Sequence, residues 1–254
     1  MSAQSYLAEI MKLLEQLGTK AQDSILRAGE VVAATLEAGN RIWVTPTTYS
    51  LHEEATGRAG GFIAVHVMND AAHVQPGDCV LVGSPVGTSV KPISSTLECQ
   101  ARGAYVIALT NREFENDAET LLEHPLQHRL HEIADLLVDI PGPLGDGVFD
   151  IPELRMRAIP HSGITGMTAM WMIFSEALFL MRGRGITPRL YECVNIAGAR
   201  ERNAIQISGY ISSALGFLEP GEAEAVFATE APGSRDFRAT GREEHQAPPL
   251  NNEQ

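Results

Sequence analysis

Residues 78–111 read DCVLVGSPVGTSVKPISSTLECQARGAYVIALTN, and this stretch decides the fold. Its two apolar runs, 78–82 and 104–109, are short, rich in Val, Leu and Ile, and bounded by turn residues. That is how a strand covered on both faces reads in sequence. Between them 89–102 has helical spacing, entered through the hydroxyl-rich turn GSPVGTS. A strand, a turn, a helix and a second strand make one β-α-β unit of a parallel sheet.

Moving outward, further runs of the strand type lie at 41–44, 62–68 and 134–139, with helical patterns at 51–60 and 121–131. Upstream, Tyr6, Leu7, Ile10, Leu13, Leu14 and Leu17 recur at helical spacing up to Gly18, and Ile25, Val31, Val32 and Leu36 mark a second helix ending at Gly39-Asn40. Downstream, the loop PGPLGDG (141–147) precedes helices at 163–183 and 199–217. The pattern predicts an α/β fold, a three-layer α-β-α sandwich with a central, mostly parallel five-stranded sheet preceded by two N-terminal helices. One domain spans 1–218, and an acidic Pro/Gly-rich tail, 219–254, has too few large apolar side chains to build a core.

The chain has 254 residues, 44% hydrophobic, enough for one sizeable core. Its net charge of -13, with no Lys/Arg cluster longer than a pair, argues against nucleic acid as a partner. Cys79, Cys99 and Cys193 lack any CxxC pairing and predict reduced thiols in a cytoplasmic protein. The N-terminus lacks the pattern of a signal peptide. The most apolar stretch, 167–181, carries Glu176 and falls short of the roughly 20 residues that cross a bilayer, so a buried helix and no membrane partner are expected.

Candidate chemistry gathers in three turns that each lead into a helix: TPTTYS (45–50), GSPVGTS (83–89) and HSGIT (161–165). Hydroxyls beside the unpaired N–H groups of a helix start make a seat for an oxyanion, although capping alone explains each turn taken singly. The turns offer Thr47, Thr48, Ser50, Ser84, Gly87, Thr88 and Ser89, and the loop after 104–109 adds Asn111. Glu53 and Glu54, in the first turn of the next helix, are a general base or plain helix-end electrostatics. His161 is a proton-transfer candidate or a capping histidine. Arg200, Glu201, Arg202 and Asn203 cluster at another helix start, as a phosphate clamp with an acid/base or as a solvated cap. His124, His128 and His131 share a helical spacing, but Pro125 breaks their first turn and no acidic partner is suitably placed, so no metal is expected. No GxxxxGK[ST], GxGxxG or GxSxG occurs, which leaves no signature of a nucleotide cofactor or a hydrolase.

The order of these segments resembles the sugar isomerase (SIS) family, and within it the UPF0309-like phosphosugar-binding proteins. The resemblance rests on TTYSLHEEATGRAGG (47–61), PGDCVLVGSPVGTSVKPI (76–93), ARGAYVIALTN (101–111), HPLQHRLHEIADLLVDIPGPLGDG (124–147) and NIAGARERN (195–203). Glu53, Glu54, Asp146, Glu201 and Asn203 match the family pattern. The first loop departs from it, being Gly- and His-rich in the family; so does the second, and Arg202 stands where a His is usual. The resemblance implies a homodimeric, cofactor-free enzyme that moves a proton between adjacent carbons of a sugar phosphate through an enediol. Two alternatives share the pocket: a non-catalytic phosphosugar-binding module or inactive paralogue subunit, and a sugar-phosphate deaminase or lyase.

Overall fold

The computed structural model describes residues 3–46, 50–117 and 120–227. In chain order the elements are α1 (Ala3–Lys20), α2 (Gln22–Glu37), β1 (Ile42–Val44), α3 (Leu51–Ala55), β2 (Val65–Val67), β3 (Cys79–Ser84), α4 (Val90–Ala101), β4 (Tyr105–Thr110), α5 (Arg112–Asn116), α6 (Leu130–Ile133), β5 (Leu136–Asp139), β6 (Gly147–Phe149), β7 (Ala158–Pro160), α7 (Ser162–Gly183), β8 (Thr187–Pro188), α8 (Ala199–Ser213), β9 (Phe217–Leu218) and α9 (Glu222–Phe227).

The central sheet runs β2-β1-β3-β4-β5, with every neighbouring pair parallel. Alternate side chains enter two separate cores, as the period of two requires. Ile42, Val44, Leu81, Ile107 and Val138 face the layer built by α2 and α7, whereas Trp43, Val80, Val82, Val106 and Ala108 face α4 and α6. Burial on both faces explains why the strands read as unbroken apolar runs. Short antiparallel pairs, β6 with β7 and β8 with β9, flank the sheet.

Helix α7 runs 22 residues, longer than the apolar stretch that announces it. Its length and composition alone would let it cross a membrane, yet it buries Met170, Ile173, Phe174 and Ala177 in the main core with α2. Met170, Ile173 and Phe174 each contribute about 1.5–3 kcal/mol by leaving water.

The helix expected at 199–217 ends at Ser213, ahead of β9, and two others are shorter still than their sequence patterns. The pattern at 51–60 yields only α3, which stops before Gly57, a residue with φ +70°. The pattern at 121–131 yields only α6, because Pro125 cannot donate to a helical ladder and Gln127 takes φ +53°. Leu121 and Leu126 are left exposed there. Past residue 218 the chain continues into α9, where Glu222 pairs with the buried Arg189 at 2.7 Å. Residues 228–254 lie outside the described residues.

Candidate functional site

The carboxyl ends of β3, β4 and β5 end in Ser84, Thr110 and Asp139, side by side in register. Ligands of open α/β sheets sit beyond this edge. The loop after β3 turns at once: the Gly87 N–H donates to Ser84 Oγ at 2.9 Å, and Gly87 takes φ +62°, a conformation that favours glycine. Its carbonyl accepts from Leu130 N–H at 2.8 Å, and that of Thr88 accepts from Glu123 N–H at 3.2 Å. The loop is therefore fixed by its backbone, and Ser84 is used in holding it.

Two hydroxyls of this loop are not used in the same way. Thr88 is fully buried, and its Oγ1 has no hydrogen-bond partner. Ser89 occupies the N-cap of the 12-residue α4 without making a side-chain cap bond. Pro92 in the first turn brings no N–H of its own, and Lys91 Nζ reaches across to the Pro46 carbonyl at 3.0 Å, tying the first loop to the second. A buried hydroxyl without a partner is costly unless a ligand or water completes it.

After β4, Asn111 is buried and doubly engaged. Its Oδ1 caps α5 by accepting from Phe114 N–H at 2.8 Å, and its Nδ2 donates to the Gly142 carbonyl at 3.0 Å. That second bond fixes the loop after β5, which leads to Asp146. With φ +66°, Asp146 turns its carboxylate onto the start of α7. It accepts from Ser162 N–H at 3.0 Å, from the Ser162 hydroxyl at 2.9 Å and from His161 N–H at 3.3 Å. The positive end of α7 thus already holds an anion. The third hydroxyl turn is closed by the protein itself.

The His161 ring is only 4% exposed. Its Nδ1 lies 3.3 Å from Thr165 Oγ1 and its Nε2 3.6 Å from Asp146 Oδ1, and it packs so closely on Gly142 that any Cβ there would overlap the ring. Burial pushes its pKa below the usual histidine value, and the nearby Asp146 carboxylate only partly opposes this. The imidazole is neutral at neutral pH, as a general base must be.

These residues enclose a cavity of about 210 Å³, whose apolar walls include Val86, Phe114 and Ile140 and whose polar groups include Asp146, His161 and Ser162. It shares the walls Val86, Phe114 and Gly145 with a wider cavity of about 540 Å³, which Thr88, Thr120 and Arg157 line. His161 and the buried Thr88 thus line two adjoining cavities.

The other sequence candidates among the described residues line neither cavity. Thr47 and Thr48 lie outside the described residues. Ser50 takes φ +53° at the start of α3 and makes no side-chain cap bond. Glu53 is exposed, while Glu54 accepts from Trp171 Nε1 at 3.3 Å and pairs with Arg58 at 3.1 Å. Glu201 is exposed on α8. Arg202 binds the Glu192 carboxylate through Nε at 2.8 Å and a terminal nitrogen at 2.7 Å. Asn203 accepts from Glu192 N–H at 2.8 Å and donates to its carbonyl at 2.9 Å. Arg200 and Asn203 line a different cavity, beside Gly57. Among the described residues, no group of three or more His, Cys, Asp or Glu is arranged to hold a metal. His124 and His128 stack on each other with ring centres 6.0 Å apart.

Two residues of the site go unread in the sequence. Phe114 walls both cavities, and Glu115 is fully buried beneath Gly87. The signal for them was Asn111, an N-cap residue whose helix had to follow at the sheet edge.

No family model matches the chain. A UPF0309 protein of Geobacillus kaustophilus is 27% identical over 81% of this chain and 92% of its own length, and one of Caldanaerobacter subterraneus is 23% identical over 81% and 96%. Among solved structures, a phosphoheptose isomerase from Francisella tularensis superimposes with a TM-score of 0.52 at 13% identity, covering 70% of this chain and 98% of its own. One from Neisseria gonorrhoeae gives 0.51 at 15%, covering 70% and 96%. The chain is similar in sequence to UPF0309 proteins and has the SIS fold.

Proposed function

We propose that the chain binds a small sugar phosphate across the two adjoining cavities and interconverts its aldose and ketose forms. One observation carries this reading: at the carboxyl edge of the sheet a buried, neutral His161 lines a cavity adjoining the one lined by Thr88, a buried hydroxyl that has no partner within the protein. Thr88, Ser89 and the N–H groups at the start of α4 suit a phosphate, whereas the Arg157 guanidinium in the wider cavity already donates to the Gly147 and Val148 carbonyls. The sugar then lies against His161.

In this reading His161 Nε2 takes the proton from the carbon beside the carbonyl, and the carbonyl oxygen gains a proton as the enediol forms. Return of a proton to the former carbonyl carbon, with loss of the neighbouring hydroxyl proton, completes the exchange with no net change in atoms. Asp146, 3.6 Å from Nε2, stabilises the imidazolium while it lasts. The reading includes a cytoplasmic homodimer. The free, buried Cys79 and Cys99 accord with the compartment, and exposed Leu7, Met11 and Phe179 offer apolar surface for a second copy.

The test pairs binding with exchange. A sugar phosphate at 100 times its Kd stabilises the fold by about 2.7 kcal/mol, readable as a thermal shift over the non-phosphorylated parent. In D2O the carbon-bound hydrogen next to the carbonyl should wash out. If no sugar phosphate shifts the melting point, the reading fails. Binding without exchange would establish the second reading, a phosphosugar-binding module, which the exposure of Glu53 and Glu201 and the engagement of Arg202 by Glu192 favour.

A further inference from the structure

The carboxyl group of Glu115 has no solvent exposure, although α5 is a five-residue helix with no need of a buried acid. Three other chain segments meet on it. The Thr110 hydroxyl at the end of β4 donates to Oε1. His131 gives Oε2 both its backbone N–H, at 3.2 Å, and its ring Nδ1, at 2.7 Å. Gly87 rests directly on Oε1, so that a Cβ there would overlap it and come within 2.6 Å of Thr110 Oγ1. The Leu130 N–H then closes the ring of contacts by donating to the Gly87 carbonyl. Arg129 Nε binds the Glu115 carbonyl at 2.9 Å and its guanidinium pairs with Glu132, so no further cation reaches the carboxyl among the described residues. Burial pushes the Glu115 pKa up, opposed by its bonds from Thr110 and His131.

We infer that Glu115 is a positioning residue for anion binding: by seating Gly87 in its left-handed conformation it aims Thr88 and the start of α4 at the ligand. The backbone of Gly87 sets the direction of the next residue, and the carboxyl sets Gly87. The inference rests on the sugar-phosphate reading of the site and adds the residue that builds it. It touches no ligand itself.

The test measures inorganic phosphate and fructose 6-phosphate binding by calorimetry, with fructose as the unphosphorylated control. Glu115→Leu should weaken both phosphate probes at least tenfold without changing the response to fructose, and Glu115→Gln, which keeps an acceptor, should recover to within threefold of wild type. If Glu115→Leu does not fold, His131→Leu and His131→Asn take its place, since only the asparagine amide can stand in for Nδ1. Wild-type affinity in either leucine variant overturns the inference, as does an equal loss in the leucine and conservative variants. A wild-type protein that binds neither phosphate probe removes the anion site and the role of Glu115 together. Wild-type binding that survives both leucine variants removes the role alone.

Discussion

Two helix starts, those of α4 and α8, both gather polar residues and differ in what those residues are left to do. At α8, Arg202 grips the Glu192 carboxylate through two nitrogens and Asn203 satisfies both backbone groups of Glu192, so these two side chains are completed from within the chain. At α4, Thr88 Oγ1 is buried without a partner and Ser89 makes no cap bond. What separates them as candidate binding sites is completion. A polar group satisfied inside the fold stabilises a junction, whereas one buried and unfinished is a cost that a ligand can remove. Asp146 shows the intermediate case, an anion supplied by the chain to the start of α7.

The strongest way to sharpen this contrast is His161→Gln. Losing a positioned base lowers turnover by about 10²–10⁴-fold, roughly 3–5 kcal/mol in barrier height, while ligand affinity stays within threefold. Steady-state kinetics beside calorimetry reads the split, and unchanged turnover would remove His161 from the chemistry. Next comes Gly87→Ala, which breaks the α4 side. Crowding the Glu115 carboxyl costs about 1–3 kcal/mol, and a Cβ in the left-handed region adds about 1–2 kcal/mol. Urea unfolding should report the sum; a loss below about 1 kcal/mol would mean that the loop is not held as described.

The fold was legible because its strands are buried on both faces, and 78–111 carries that signal in unbroken runs. The helix ends were less so. Pro125 was visible, yet only the positive φ of Gln127 and the exposure of Leu121 and Leu126 show that the chain between 121 and 129 follows no regular helix. In the site, the hydroxyl turn before α4 could be read from residue types, as could Asn111 and His161. What residue types cannot carry is which polar groups pair with each other. Arg202 with Glu192, and Glu115 with Thr110 and His131, lie 10, 5 and 16 residues apart and meet only through the fold.

At α8 the matching variant is Asn203→Ala. It removes two hydrogen bonds to the Glu192 backbone, at about 1 kcal/mol each, so stability falls by about 2 kcal/mol with sugar-phosphate affinity unchanged in the folded protein. Lost affinity without lost stability would make α8 part of the binding site and end the contrast. A smaller effect follows from the protons. His161 has its pKa pushed down in the fold, so the unfolded chain binds the extra proton first as pH falls below about 6.5. Wild-type stability should therefore drop below that pH more steeply than in His161→Gln, by at most about 1.4 kcal/mol per pH unit. Parallel curves for the two proteins would mean that the ring is solvated.

The smallest expected effect is the most discriminating for the chemistry. Glu53 lies in the first turn of α3, just after the first hydroxyl turn, yet its side chain is exposed and it lines neither cavity at the sheet edge. A base in open water gains nothing from the walls that shield a substrate. Glu53→Gln should leave turnover and sugar-phosphate affinity within twofold of wild type, and Glu54→Gln should loosen only the contact with Trp171 and Arg58. A tenfold or larger loss of turnover in Glu53→Gln, with affinity retained, would transfer the base from α7 to α3. The unfinished groups at α4 would then hold the phosphate for a reaction carried out across the sheet, and His161 would be the buried cap of its helix.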